Sequence, residues 1–100
     1  MVKEIKDSEY KDIIKNNKKV VIDCFADWCG PCRMLSPVID ALSEELKDVS
    51  FYKVNVDSAE IITKEYEIMS IPTLLIFEDG KLKEKVIGLR SKSELENILK

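Results

Sequence analysis

Apolar and polar residues along this chain follow two alternating periods, which together predict nine elements in the order β-α-β-α-β-α-β-β-α. Residues 20–26 form a short, almost wholly apolar and β-branched run, which is typical of a strand buried on both faces. Apolar residues then recur at helical spacing from Met34 to Leu46. Helices that connect successive strands predict an α/β fold with parallel strands and helices on both faces of the sheet. Asp79-Gly80 predicts a hairpin between the last two strands, so the five-stranded sheet should be mixed.

The remaining elements follow from shorter patterns. Further strands are predicted at residues 2–5, 49–56, 74–77 and 82–87. A helix should precede the buried strand, and its candidate N-terminal cap is Asp7 or Ser8. A third helix should follow the strand at 49–56, with Asp57 or Ser58 as its candidate cap, and a fourth should end the chain. Four helices would therefore flank the sheet.

Two charged residues stand within the predicted strands. Asp23 lies inside the buried run, where a carboxylate is costly unless it is paired or partly neutral. Strict alternation in the strand at 49–56 puts Lys53 on the same face as Phe51, which is unusual if that face is buried. Both positions are candidates for function, although a solvated side chain that extends from the strand is an equally good interpretation of Lys53.

Composition and charge argue against several classes of function. The chain has 100 residues, of which 45% are hydrophobic and 35% charged, and this predicts one domain over residues 1–100. The net charge is −3 with both signs interspersed, which argues against a nucleic-acid-binding face. No apolar run reaches the ~18 residues of a membrane span. The N-terminus shows no signal-peptide segment, so we expect a cytoplasmic monomer that binds no membrane.

The cysteine and histidine counts exclude several kinds of site. The chain has three cysteines and no histidine, and an odd number of cysteines cannot pair completely into a disulfide framework. Without histidine, Ser-His-Asp and Cys-His catalysis are excluded. Three cysteines also fall short of the usual four zinc ligands, so no metal is predicted. Cys24 follows Asp23 on the strand and should face the opposite side as a buried, inert thiol.

The stretch Trp28-Cys29-Gly30-Pro31-Cys32 carries the clearest chemistry, because it lies where the buried strand gives way to a helix. The first sulfur would lie near the free N–H groups and positive end of the helix, which stabilise a thiolate. A thiolate attacks disulfides, and the second thiol is close enough to attack the resulting mixed disulfide. We therefore predict a redox-active dithiol with Cys29 as nucleophile and Cys32 as resolving thiol. Gly30 should supply backbone freedom, and Pro31 suits a first helical turn.

With this motif in place, essentially the whole chain resembles the thioredoxin family. The other matching positions are Asp23, Pro37, Lys53, Ile71-Pro72-Thr73, Gly80 and Gly88. The resemblance implies the thioredoxin fold, with strand order 1-3-2-4-5 and helices on both faces. It also implies a protein-disulfide reductase that donates electrons in cell redox homeostasis and holds no bound cofactor. Its partners would be disulfide-containing proteins and thioredoxin reductase, a flavoprotein that draws electrons from NADPH.

The resemblance also implies roles for individual residues of the dithiol site. Cys29 would be an exposed attacking thiol and Cys32 a buried resolving thiol, joined in the oxidised state as a redox-active disulfide. Asp23 would take or relay the proton of Cys32, and Lys53 would be the charge partner of Asp23.

A substrate groove beside the dithiol is implied as well. The Ile71–Pro72 peptide bond would be cis and packed against the two cysteines. Trp28 and Gly88 would complete a flat surface on which a substrate segment lies extended.

Other functions of the same fold stay open at this point. An oxidant or isomerase would have an over-stabilised reduced form, often with a histidine between the cysteines, whereas Gly30-Pro31 favours a reductant. A glutaredoxin would be expected to show a Pro-Tyr type pair and a glutathione pocket. A non-enzymatic binding module would use only the groove, and a metal site could be formed by four thiolates from two chains.

Overall fold

The computed structural model describes residues 2–100, and its elements follow the predicted order. The strands are β1 (Lys3–Glu4), β2 (Lys19–Phe25), β3 (Ser50–Asn55), β4 (Thr73–Glu78) and β5 (Lys81–Ile87). The helices are α1 (Tyr10–Asn16), α2 (Gly30–Glu45), α3 (Glu60–Glu65) and α4 (Lys92–Leu99), and a short 3-10 turn, Val56–Ser58, precedes α3. The β-α-β-α-β-α-β-β-α order predicted from the periodicity is therefore confirmed.

One mixed sheet organises the chain, with strand order β1-β3-β2-β4-β5. The central strand β2 pairs in parallel with β3 and antiparallel with β4, and β4 pairs antiparallel with β5 across the predicted hairpin. Both the mixed sheet and the order 1-3-2-4-5 are confirmed. Because β2 has a paired strand on each side, its C-terminal end is held at the edge of the sheet where α2 begins.

Alternation along β2 divides the buried side chains into two cores. Val20, Ile22 and Cys24 pack with residues of α1 and α3 on one face, whereas Val21 packs with residues of α2 and α4 on the other. Asp23 has the parity of Val21 and therefore faces α2. The apolar packing of both faces is what makes a carboxylate at this position exceptional.

Cys24 is fully buried on the face opposite Asp23, as the alternation predicts. The pKa of its thiol is raised to about 12, chiefly by burial and to a smaller extent by the nearby charge of Asp23. A thiol with so high a pKa is almost wholly protonated at neutral pH, which keeps it a packing residue.

The predicted N-terminal caps of α1 and α3 are wrong. Asp7, a predicted cap of α1, caps α3 instead. No side chain caps α1, which follows Glu9. The Asp7 carboxylate instead accepts the backbone N–H groups of Ile61 (2.7 Å) and Ile62 (2.9 Å) at the start of α3. The 3-10 turn displaces the start of α3, so that Ala59 and not Asp57 precedes it. Asp7 thus supplies the N-terminal acceptor that α3 lacks locally.

Several large apolar side chains remain exposed, and Trp28 (69% exposed), Met34 and Met69 are the most prominent. Trp28 precedes the first motif cysteine, and Met34 lies two residues after the second. Within residues 2–100, no helix has the length and apolar character required to cross a bilayer.

Candidate active site

The two motif cysteines form a disulfide at the N-terminus of α2. Cys29 immediately precedes the helix and Cys32 lies in its first turn, with their Cα atoms 5.3 Å apart. The backbone N–H of Cys32 donates to Cys29 Sγ (3.2 Å). In the reduced protein this N–H and the positive end of α2 would stabilise negative charge on Cys29. The structure thus brings together the two sulfurs that the motif predicts as a redox pair.

The burial of the two cysteines does not distinguish them. Both are 4% exposed, so the expectation of an exposed Cys29 beside a buried Cys32 is wrong for the disulfide form. Cys29 is covered because it packs in a small cluster that includes Ile71 and Phe25. What distinguishes the sulfurs is position: only Cys29 lies outside the helix and accepts a helix N–H.

The two residues between the cysteines differ in what the backbone requires of them. Pro31 stands in the first turn of α2, where a backbone N–H would have no intrahelical partner. Gly30 has no positive φ, and a Cβ at this position would meet nothing within 4 Å. The expectation that Gly30 is needed for backbone freedom is therefore not supported by the geometry of the disulfide form.

A second loop lies against the disulfide. Its Ile71–Pro72 peptide bond is cis, and the Ile71 carbonyl oxygen lies 3.8 Å from Cys29 Sγ. The Pro72 carbonyl accepts the N–H of Gly88 (2.8 Å), which joins this loop to the segment after β5. Gly88 has φ +93°, a conformation that glycine adopts without steric cost. Ile71, Pro72 and Gly88 therefore lie next to one another beside the dithiol.

Trp28 is held by a residue that the sequence did not mark as functional. Its indole N–H donates to Asp57 Oδ2 (2.9 Å) in the 3-10 turn after β3. The 3-10 turn that keeps Asp57 out of the cap position of α3 thus contains the carboxylate that holds Trp28. A signal did exist, because β2 and β3 are parallel and the loops that follow parallel strands meet at one edge of the sheet.

Asp23 is a buried carboxyl without a hydrogen-bond partner for Oδ1. The residue is 4% exposed, and its pKa is raised to about 7. Burial is the largest cause of this rise, the charge of Lys53 opposes it, and the charge of Asp40 adds to it. Lys53 is the register partner of Asp23 across β2 and β3. Within residues 2–100 the two make no ion pair of 4.0 Å or less, and the Lys53 ammonium instead lies 5.5 Å from the centroid of the Phe25 ring. Lys53 thus acts on Asp23 through space.

A cavity of about 170 Å³ joins Asp23 to the disulfide, and we refer to it as the Asp23 cavity. Its polar and sulfur-bearing lining residues are Asp23, Asp27, Cys32, Arg33, Ser36 and Lys53. A proton could therefore pass between Cys32 and the Asp23 carboxyl without crossing the apolar core. Ser36 is a member of this lining that the sequence did not single out.

The described part of the chain contains no group of three or more His, Cys, Asp or Glu side chains arranged to hold a metal ion. The two sulfurs and the carboxyl beside them supply chemistry of their own, with the disulfide as a two-electron carrier.

Comparison with known proteins identifies the thioredoxin family. The thioredoxin family model matches residues 1–100. The chain is 47% identical over 93 residues to thioredoxin from Mycoplasmoides gallisepticum, covering 93% of each chain. It is 44% identical over 95 residues to thioredoxin from Chlamydia trachomatis, covering 95% of this chain and 92% of the relative. The solved structure of oxidised mitochondrial thioredoxin 3 from Saccharomyces cerevisiae aligns with a TM-score of 0.91 and 37% identity, covering 98% of this chain and 92% of that one. The chain therefore belongs to the thioredoxin family of protein-disulfide reductases.

Proposed function

We propose that this protein reduces disulfides of other proteins by a two-cysteine cycle in which Cys29 attacks and Cys32 resolves. The Cys29 thiolate would attack one sulfur of the substrate disulfide, and the other substrate sulfur would leave as a thiolate. Cys32 would then attack Cys29 Sγ, break the bond to the substrate and leave the Cys29–Cys32 disulfide. The observation that carries this assignment is the helix N–H that Cys29 Sγ accepts, because it favours a thiolate at Cys29.

The second step requires Cys32 to lose a proton, and we assign its acceptance to Asp23. A carboxyl with a pKa near 7 is matched to proton transfer at neutral pH. The Asp23 cavity connects the two side chains. Lys53 would tune the carboxyl by its charge, and would do so without contact.

The substrate would lie across the surface formed by Trp28, Ile71, Pro72 and Gly88. Trp28 offers an exposed indole, and Ile71 and Pro72 lie against Cys29. An extended substrate segment placed there would bring its own disulfide to the attacking sulfur. Gly30 and Pro31 would contribute as the link between the two cysteines, in which Pro31 favours the first helical turn.

The oxidised protein must be reduced again, and we propose a thioredoxin reductase using NADPH as the electron source. No bound cofactor is required in the chain itself, because the disulfide carries both electrons. A cytoplasmic location and action as a monomer fit this role, since thiols persist in a reducing compartment.

An insulin-reduction assay tests the proposed function. With NADPH and a thioredoxin reductase, the unsubstituted protein should accelerate insulin reduction, and dithiothreitol should be able to replace the reductase. Cys29→Ser should lower the rate by about 10² or more, since it removes the nucleophile. The matched control Cys24→Ala removes a thiol outside the site and should retain the activity. Equal rates for Cys29→Ser and the unsubstituted protein would exclude the cycle.

A further inference from the structure

The hydroxyl of Ser36 lines the Asp23 cavity and has no part in the cycle described above. Ser36 lies four residues after Cys32 on α2, so the two side chains share one face of the helix. The residue is half-buried, and within residues 2–100 its hydroxyl makes no hydrogen bond. Asp23 Oδ1, which lines the same space, is also without a partner. Two unpaired polar groups therefore border one cavity.

Two other helical hydroxyls of this chain behave differently. Ser43 Oγ donates to the Asp40 carbonyl (2.7 Å), and Thr63 Oγ1 donates to the Ala59 carbonyl (2.9 Å). Such bonds to the preceding turn are the usual arrangement for serine and threonine inside a helix. Ser36 departs from it, so its hydroxyl is available to a group within the cavity.

The size and lining of the cavity suit water. A volume of about 170 Å³ has space for several water molecules, and a buried water requires two to four polar partners. Asp23, Ser36 and Lys53 can provide them from three different elements. A water held by Ser36 would satisfy the unpaired oxygen of Asp23 and lie on the side of Cys32.

We propose that Ser36 is a positioning residue whose hydroxyl holds a water that carries the proton between Cys32 and Asp23. In the resolving step the Cys32 thiol gives its proton to this water, which gives another to the Asp23 carboxylate. The sulfur electron pair then forms the bond to Cys29 Sγ, and the substrate leaves with the electron pair of the broken S–S bond. The inference rests on the proposed function, because it concerns the resolving step of that cycle.

Among the polar residues that line the Asp23 cavity, Ser36 can be substituted without changing the charge near Asp23. The charged groups that act on Asp23 or line its cavity are Lys53, Asp40, Arg33 and Asp27. The β4 neighbour of Asp23 is Leu74, which is apolar. Ser36 is the neutral hydroxyl of this lining, so Ser36→Ala removes a hydrogen-bonding group and leaves the local charge unchanged. Alanine also favours a helix more than serine does, so the variant should fold.

Rapid mixing of reduced protein with an oxidised peptide disulfide separates the two steps. Trp28 fluorescence should show an attack phase that depends on peptide concentration and a resolving phase that does not. Ser36→Ala should slow the resolving phase about fivefold at pH 7, less than the 10² or more expected for loss of a whole proton acceptor, and leave the attack phase unchanged. The midpoint of the pH profile of the resolving phase should move upward, because the Asp23 carboxylate loses the water that stabilises it.

Matched variants decide the outcome. Ser36→Thr keeps the hydroxyl and should restore both the rate and the pH midpoint. Ser43→Ala removes a hydroxyl of the same helix outside the cavity and should change neither. The proposal is overturned if Ser36→Ala has the resolving rate and pH midpoint of the unsubstituted protein while that protein shows both phases. Absence of a resolving phase in the unsubstituted protein would overturn the proposed function itself, and this inference with it.

Discussion

The Cys32→Ser variant should accumulate covalent mixed disulfides with substrate proteins through Cys29, whereas Cys29→Ser should accumulate none. Serine at position 32 leaves the first attack intact, because the helix N–H and the positive end of α2 still act on Cys29 Sγ. It removes the only thiol positioned to attack the mixed disulfide, since Cys24 is buried on the other face of the sheet. The complex should therefore persist until an external thiol is added.

Non-reducing gel electrophoresis with mass spectrometry of the cross-linked peptides checks this expectation. The reduced variants are incubated with an oxidised substrate such as insulin, and excess thiol is quenched by alkylation. A Cys24→Ala, Cys32→Ser protein is the matched control and should trap as well as Cys32→Ser alone. Equal trapping by Cys29→Ser and Cys32→Ser would contradict the assignment of roles.

The second large effect concerns the stability of the protein as a function of pH. Burial raises the pKa of Asp23 from 3.8 to about 7, so the folded protein binds this proton more tightly than the unfolded chain does. The Asp23 contribution is fully present below about pH 4 and is lost as the pH rises through about 7. The difference between 3.8 and about 7 corresponds to a decrease of about 4 kcal/mol in the free energy of unfolding across this range.

Denaturant unfolding of the oxidised protein between pH 4 and pH 8 measures this contribution. Asp23→Asn has no titrating group at this position, so its free energy of unfolding relative to the unsubstituted protein should rise by about 4 kcal/mol from pH 4 to pH 8. The exposed Asp48 supplies the control, since Asp48→Asn should keep the pH dependence of the unsubstituted protein. The same pH dependence in Asp23→Asn as in the unsubstituted protein would show that Asp23 ionises normally in the fold.

The sequence pattern was sufficient for features that depend on neighbours along the chain. The apolar run around Asp23 predicted a buried strand, and alternation placed Cys24 on the opposite face, because side-chain direction in a strand follows directly from parity. The spacing of Cys29 and Cys32 also predicted that their sulfurs are close, because the two cysteines stand three positions apart at the start of a helix.

Features that depend on contacts between distant segments could not be predicted from the pattern of neighbours along the chain. Asp7 caps a helix 54 positions further along the chain, and nothing near either segment indicates that partner. Asp57 binds Trp28 only because β2 and β3 lie side by side. The importance of Ser36 depends on the cavity that α2 and β2 form together, and a single serine in a helical pattern carries no signal of it.

The measurement that tests the central claim most directly is the equilibrium reduction potential of the Cys29–Cys32 pair. Trp28 is the only tryptophan and adjoins the pair, so its fluorescence can report the redox state in dithiothreitol buffers. We predict a potential more reducing than the cytosolic glutathione pool, which lies at about −220 to −260 mV by biochemical extraction. A potential well above that range would contradict the account, because the same fold and cysteines would then act as an oxidant or isomerase.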